Sequence, residues 1–132
     1  MNKYQAKIIA TDQEALQVIS ACVSNAEVKI SDIKYLKSNK VFLLSIERIK
    51  VEGDQKNEKV NSILNFSFID KVKSKNINQE NQEKVLELIG IDYLKNKEVY
   101  EINLIFDNNA HIALTTESIE VRLEDQNGIN EL

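Results

Sequence analysis

Two arginines, Arg48 and Arg122, stand in a chain that otherwise takes its positive charge from 15 lysines. A planar guanidinium can grip a carboxylate or phosphate through two parallel hydrogen bonds, which an ammonium cannot do, so these positions are the first candidates for recognition chemistry. With Asp32, Glu52 and Glu120 they form a candidate set for binding a small anionic ligand or a protein partner. The preferred alternative is structural. Each arginine would meet a carboxylate such as Asp32, Glu52, Glu120 or Asp125 in a partly buried ion pair that pins the C-terminal segment to a sheet.

The remaining reactive side chains offer less. Cys22 lies in an apolar helical stripe with no nearby histidine, lysine or arginine in sequence to lower its pKa, so it reads as a small buried hydrophobe. The single histidine, His111, follows the polar turn at residues 107–110 and has no second histidine or cysteine close by, which is poor material for zinc. A Gly-rich phosphate loop, a G-x-S-x-G elbow and a C-x-x-C pair are all absent from the sequence. Glu47, Glu87 and Asp92 are scattered carboxylates of the kind that ordinarily face solvent. No catalytic residue, metal ligand or cofactor is assigned.

The elements that must position these residues begin with a helix. Thr11 is the expected N-cap, with Glu14 three residues on closing a capping box. Ala15, Val18, Ile19, Cys22 and Ala26 then recur at helical spacing, with Leu16 and Val23 widening the stripe. After Asn25 the pattern alternates. Val28 and Ile30 share one parity and Ile33 and Tyr35 the other, which implies a bulge near Ser31 and Asp32. A short polar turn at residues 37–40 leads into a strand over 41–52, where Phe42, Leu44 and Ile46 face inward. The next strand is expected to carry Leu64, Phe66, Phe68 and Val72 on one face and Lys71, Lys73 and Lys75 on the other. Residues 74–83 read as an exposed loop. Strands over 85–94, 99–107 and 111–116 form a second meander, with Tyr100, Ile102, Leu104 and Phe106 inward. Residues 117–125 suit either a strand or a helix, and a short helix ending near Gly128 is preferred.

The chain has 132 residues, 42% of them hydrophobic and 29% charged, with a net charge of −4. That is the composition of one globular domain spanning 1–132, without the uninterrupted apolar stretch of a membrane span. Seventeen basic and 21 acidic residues are interspersed, so no electrostatic footprint for duplex nucleic acid exists. An N-terminus without a secretion signal and a single cysteine imply a cytoplasmic protein. The oligomeric state is left open.

Two segments, "IKYLKSNKVFLLSI" and "IDYLKNKEVYEINL", share their spacing throughout: Ile33, Tyr35, Leu36, Lys37, Val41, Phe42, Leu44 and Ile46 fall on Ile91, Tyr93, Leu94, Lys95, Val99, Tyr100, Ile102 and Leu104. They suggest two related three-stranded meanders. The fold expected is α+β: one N-terminal helix on a mainly antiparallel, curved sheet or small barrel of about six or seven strands, with the short C-terminal helix.

The segments "ATDQEALQVISACVSNAEVKISDIKYL", "FLLSIERIKVE" and "ESIEVRLED" resemble a bacterial, alphaproteobacterial-type family, domain of unknown function 2948. Matching positions include Asp12, Ser20, Asp32, Tyr35, Phe42, Arg48, Glu52, Glu120, Arg122 and Asp125. Ile49 and Val51 stand where that family usually has aromatics, and its Trp- and Pro-containing tail has no counterpart after Leu132. The resemblance implies no activity. The function expected is a non-catalytic binding or protein-interaction module, comparable in mode to pleckstrin-homology-like modules. The alternative is a small enzyme or small-molecule binder built on the carboxylates and arginines. A third class, single-strand nucleic acid binding, would need exposed aromatics beside Lys71, Lys73 and Lys75.

Overall fold

A computed structural model describes residues 6–50 and 57–126 of the chain. Ten strands and one α-helix follow in the order β1 (Lys7–Ala10), α1 (Gln13–Val23), β2 (Ala26–Lys29), β3 (Ile33–Leu36), β4 (Val41–Ile49), β5 (Lys59–Phe66), β6 (Ile69–Lys75), β7 (Val85–Asn96), β8 (Val99–Phe106), β9 (His111–Thr116) and β10 (Val121–Asp125). All form one sheet in the order β1-β10-β5-β4-β2-β7-β8-β9-β6, with β3 beside β4. The sheet is antiparallel throughout but is larger than the six or seven strands expected, and it does not close into a barrel.

The helix starts one residue later than its sequence suggests. Asp12, not Thr11, is the N-cap: its backbone is extended and its carboxylate accepts from the Ala15 amide at 2.9 Å. Glu14 therefore lies in the first turn, where a negative charge meets the positive end of the helix dipole, and not at the third position of a capping box. Leu16, Ile19, Cys22 and Val23 are buried, while Val18 is exposed because the stripe is narrower than the apolar residues of the segment. Asn25, at φ 69°, ends the helix in the left-handed region that asparagine tolerates, and its amide reaches the Leu88 carbonyl of β7.

The parity change after Ile30 has a simple cause. A single 3₁₀ turn, Ile30–Asp32, separates β2 from β3, so the two short strands run along the same edge of β4 out of phase. Beyond β3 the chain turns through Lys40, at φ 57°, into β4. Phe42, Leu44 and Ile46 are buried as their alternation requires, and they join one contiguous core with Leu64 and Phe66 of β5, Leu86 and Leu88 of β7, and Ile102, Leu104 and Phe106 of β8.

Three expectations are corrected. The strand supposed to run from β5 through Val72 breaks at Phe68, whose φ of 61° is rare for a bulky residue and which is 52% exposed. The break sends β5 to pair with β4 and β10, and β6 to pair with β9 at the far end of the sheet. Residues 74 and 75 belong to β6, so the polar loop is shorter than 74–83. The C-terminal segment is strand β10, not a helix. Val121, Leu123 and Asp125 point inward at period two because β10 fills the space between β1 and β5. The helix end anticipated near Gly128 lies outside the described residues.

The two meanders, β3-β4-β5 and β7-β8-β9, both exist, but their hairpins differ in register. Ile33 pairs with Leu44, whereas its sequence equivalent Ile91 pairs with Leu104, the counterpart of Ile46. The second hairpin zips further, to Asn96 opposite Val99. Tyr35 and Tyr93 consequently do not occupy equivalent places. Tyr35 sits directly opposite Phe42, while Tyr93 reaches Tyr100 across a diagonal.

Candidate functional site

Arg48 continues the inward parity of Phe42, Leu44 and Ile46, so the strand that buries those side chains buries its guanidinium as well. Ser62 precedes Leu64 and Phe66 on β5 in the same way, and Asp125 follows Val121 and Leu123 on β10. Three alternating runs thus deliver Arg48, Ser62 and Asp125 to one point. Arg48 donates through Nε to Asp125 Oδ1 at 3.2 Å and through Nη2 to Oδ2 at 3.1 Å, a two-pronged grip. Its Nη1 reaches the Cys22 carbonyl at the end of α1, and its Nε also lies 3.3 Å from Ser62 Oγ. The Ser62 hydroxyl donates to Asp125 Oδ1 at 2.7 Å, and the Ala6 amide donates to Oδ2 at 2.8 Å.

Both charged side chains are fully buried, and no buried side-chain nitrogen or oxygen among the described residues lacks a partner. Burial pushes the Asp125 carboxyl up, but hydrogen bonds from Arg48, Ser62 and the Ala6 amide, with the charge of Arg48, outweigh it and hold the group below the ordinary carboxylate value. The cluster fastens the N-terminal segment, α1, β4, β5 and β10 together. Arg48 is engaged within the fold.

The other candidates do not converge on it. Arg122 is exposed on the outer face of β10, opposite Ile9 and Asn65 on its two neighbours, and forms no ion pair with a described residue. Glu120 is half-buried before β10, where its carbonyl accepts from the Ser67 amide. Asp32 lies on the 3₁₀ turn beside a groove of about 430 Å³ that Glu27 and Glu47 also line. Glu52 falls outside the described residues. Glu47, Glu27 and Glu87 are cross-strand neighbours on β4, β2 and β7, but no three His, Cys, Asp or Glu side chains among the described residues are placed to hold a metal ion. His111 is half-buried, its Nε2 2.8 Å from Asn103 Oδ1.

A different place has the shape of a site. Among the described residues β3 is paired with β4 alone and β6 with β9 alone, so each presents an edge that no other described strand covers. At one end the two are drawn together. The Ile69 amide donates to the Lys40 carbonyl at 2.8 Å, the Tyr35 hydroxyl donates to the Ile69 carbonyl at 2.8 Å, and Lys40 pairs with Asp70 at 2.9 Å. Beyond this tie lies a pocket of about 310 Å³, walled by Ile33, Tyr35 and Phe42 on one side and Val72 and Ser74 on the other. Ile77, Gln79 and Gln82 cover it from the loop before β7, which is attached to the β2–β3 turn through the Ile30 and Ser31 amides. The Tyr35 ring packs on Phe42, centroids 6.4 Å apart, and Phe42 packs on Phe66 at 6.1 Å, so that wall is continuous with the core.

This seam pocket combines an apolar lining with a few neutral polar groups, and its volume is at the small end of the range for ligand sites. Among the described residues its lining includes no carboxylate, amine, imidazole or thiol. Such a surface recognises shape and hydrogen-bonding pattern. None of its residues was a sequence candidate. The parity of Ile33 and Tyr35 marked them as inward, but nothing local signals that β6 would stand across from them.

The chain belongs to a family of protein of unknown function (DUF2948), whose model matches residues 6–131. No curated protein and no solved structure matches the chain. Among the described residues no helix is long and apolar enough to cross a membrane.

Proposed function

We propose that the protein is a non-catalytic binding module that takes an apolar group of its partner into the seam pocket between β3 and β6. The observation that carries this reading is the coincidence of an apolar pocket with two strand edges that no other described strand pairs. Unpaired edges are ordinarily blunted or covered, and an added strand or ligand is one way of covering them. The engagement of Arg48 by Asp125 favours this reading over an enzyme or anion binder built on the arginines. The mode resembles that of other small curved-sheet modules, and a single, buried cysteine outside any disulfide suits the cytoplasm.

Titration with indole and 4-methylphenol, followed by methyl and amide NMR, tests the reading. Shifts are expected to concentrate at Ile33, Tyr35, Val72 and Ile77, with dissociation constants of about a millimolar for such small probes. Ser74→Phe, which fills the pocket from its rim, is expected to abolish them while the melting temperature stays within scatter. Shifts centred on the groove at Asp32, or unchanged binding in Ser74→Phe, would refute it.

A further inference from the structure

The edge of β6 has a two-faced chemistry. Val72 and Ser74 line the pocket, while Lys71, Lys73 and Lys75 alternate with them and stand exposed on the opposite face. Their cross-strand neighbours on β9, the strand's partner among the described residues, are Thr115, Ala113 and His111, and none of the three lysines forms an ion pair with a described residue. An acidic protein thus gathers three lysines without a described ion-pair partner along a sheet edge that no other described strand covers.

We propose that β6 accepts, as an added strand, an extended acidic peptide segment of a partner protein in which apolar residues alternate with Asp or Glu. This rests on the pocket reading above and names its partner. Period-two alternation would send the apolar side chains toward Val72 and the pocket and the carboxylates toward the lysines, while main-chain hydrogen bonds satisfy the edge. The same lysines disfavour pairing of β6 with a second copy of itself, because like charges would face each other across the new ladder. Single-stranded nucleic acid is a poorer match. Phe68 is one exposed aromatic near this strand, whereas stacking needs a succession of them.

The probe is an end-blocked peptide alternating glutamate and valine over seven residues, added to the full chain. Amide shifts are expected to centre on residues 71–75, beyond the tie at Ile69, to weaken with salt, and to come with cross-strand contacts between peptide and β6. The paired substitution Lys71→Glu with Lys73→Glu is expected to lower affinity at least about tenfold and to create binding of the lysine-valine analogue. N-methylation of the peptide's backbone amides is expected to abolish binding.

Equal binding by a scrambled peptide of the same composition, or by the lysine-valine peptide on the unmodified chain, would overturn the proposal. So would an oligothymidylate that displaces the acidic peptide from the lysines, or self-association through β6 in sedimentation. If indole and 4-methylphenol still occupy the pocket while no peptide pairs with β6, this inference fails alone. If neither binds, the pocket reading fails with it.

Discussion

The Arg48 cluster and the β3–β6 seam lie in the same sheet and are built on opposite terms. Around Arg48, strands β4, β5 and β10 each have neighbours on both sides, and every buried side-chain nitrogen and oxygen of the described residues is met by a partner. A guanidinium can be buried there because a carboxylate, a hydroxyl, a main-chain amide and a carbonyl arrive with it. At the seam, β3 and β6 each lack one neighbour among the described strands, and the lining carries no charge. A fully buried ion pair thus stands where the fold closes around it, while the seam pocket is lined without charge and has lysines at its flank. In a protein of this size the first arrangement resists change and the second leaves room for a partner.

The sharpest way to break the comparison is to remove half of the buried pair. Asp125→Ala takes the forked carboxylate contact away from the buried Arg48 guanidinium, and a loss of about 3–5 kcal/mol in denaturant unfolding is expected. Arg48→Lys keeps the charge but forfeits the forked grip and the contact with Cys22, at a cost of about 1–3 kcal/mol. If either protein melted like the parent, the cluster would not be what holds β10 in place.

Acid sharpens it further. Because the folded-state pKa of Asp125 lies below its unfolded value, its stabilising contribution is fully present above the ordinary carboxylate pKa and is lost as pH falls through the lowered folded value. Stability of the parent is therefore expected to fall over that acidic window more steeply than that of Asp125→Asn, which has no proton to take up. Parallel slopes in urea titrations across the window would contradict the assignment.

The smallest effect is expected from the second arginine. Arg122→Lys alters an exposed side chain without an ion-pair partner among the described residues, and its stability is expected to stay within about 0.5 kcal/mol of the parent. A cost comparable to that of Arg48→Lys would mean that the two arginines are structurally alike after all.

Much of the local order was legible in the residues themselves. The helix over Gln13–Val23, the burial of Cys22, the strand of Phe42, Leu44 and Ile46, and the second meander all follow from periodicity, because a 3.6-residue or two-residue repeat decides which side chains can share a face. β1 was not legible. Lys7–Ala10 carries no clear alternation and is a strand because β10 offers it an edge. β10 itself suited two periodicities until its neighbours chose between them.

The sequence by itself determined that Arg48 shares the parity of Phe42, Leu44 and Ile46, whereas Asp125 shares a face with Val121 and Leu123 only because the segment pairs as strand β10. It did not determine that they would meet. That depended on the break at Phe68, which separates β5 from β6 and leaves room for β10 beside β5. The same break carries Val72 and Ser74 to the far end of the sheet, across from Ile33 and Tyr35, and so creates the seam pocket. Periodicity records which way a side chain points relative to its own strand. Which strands become neighbours is set by the pairing of edges distant in sequence, and only the assembled sheet holds that information.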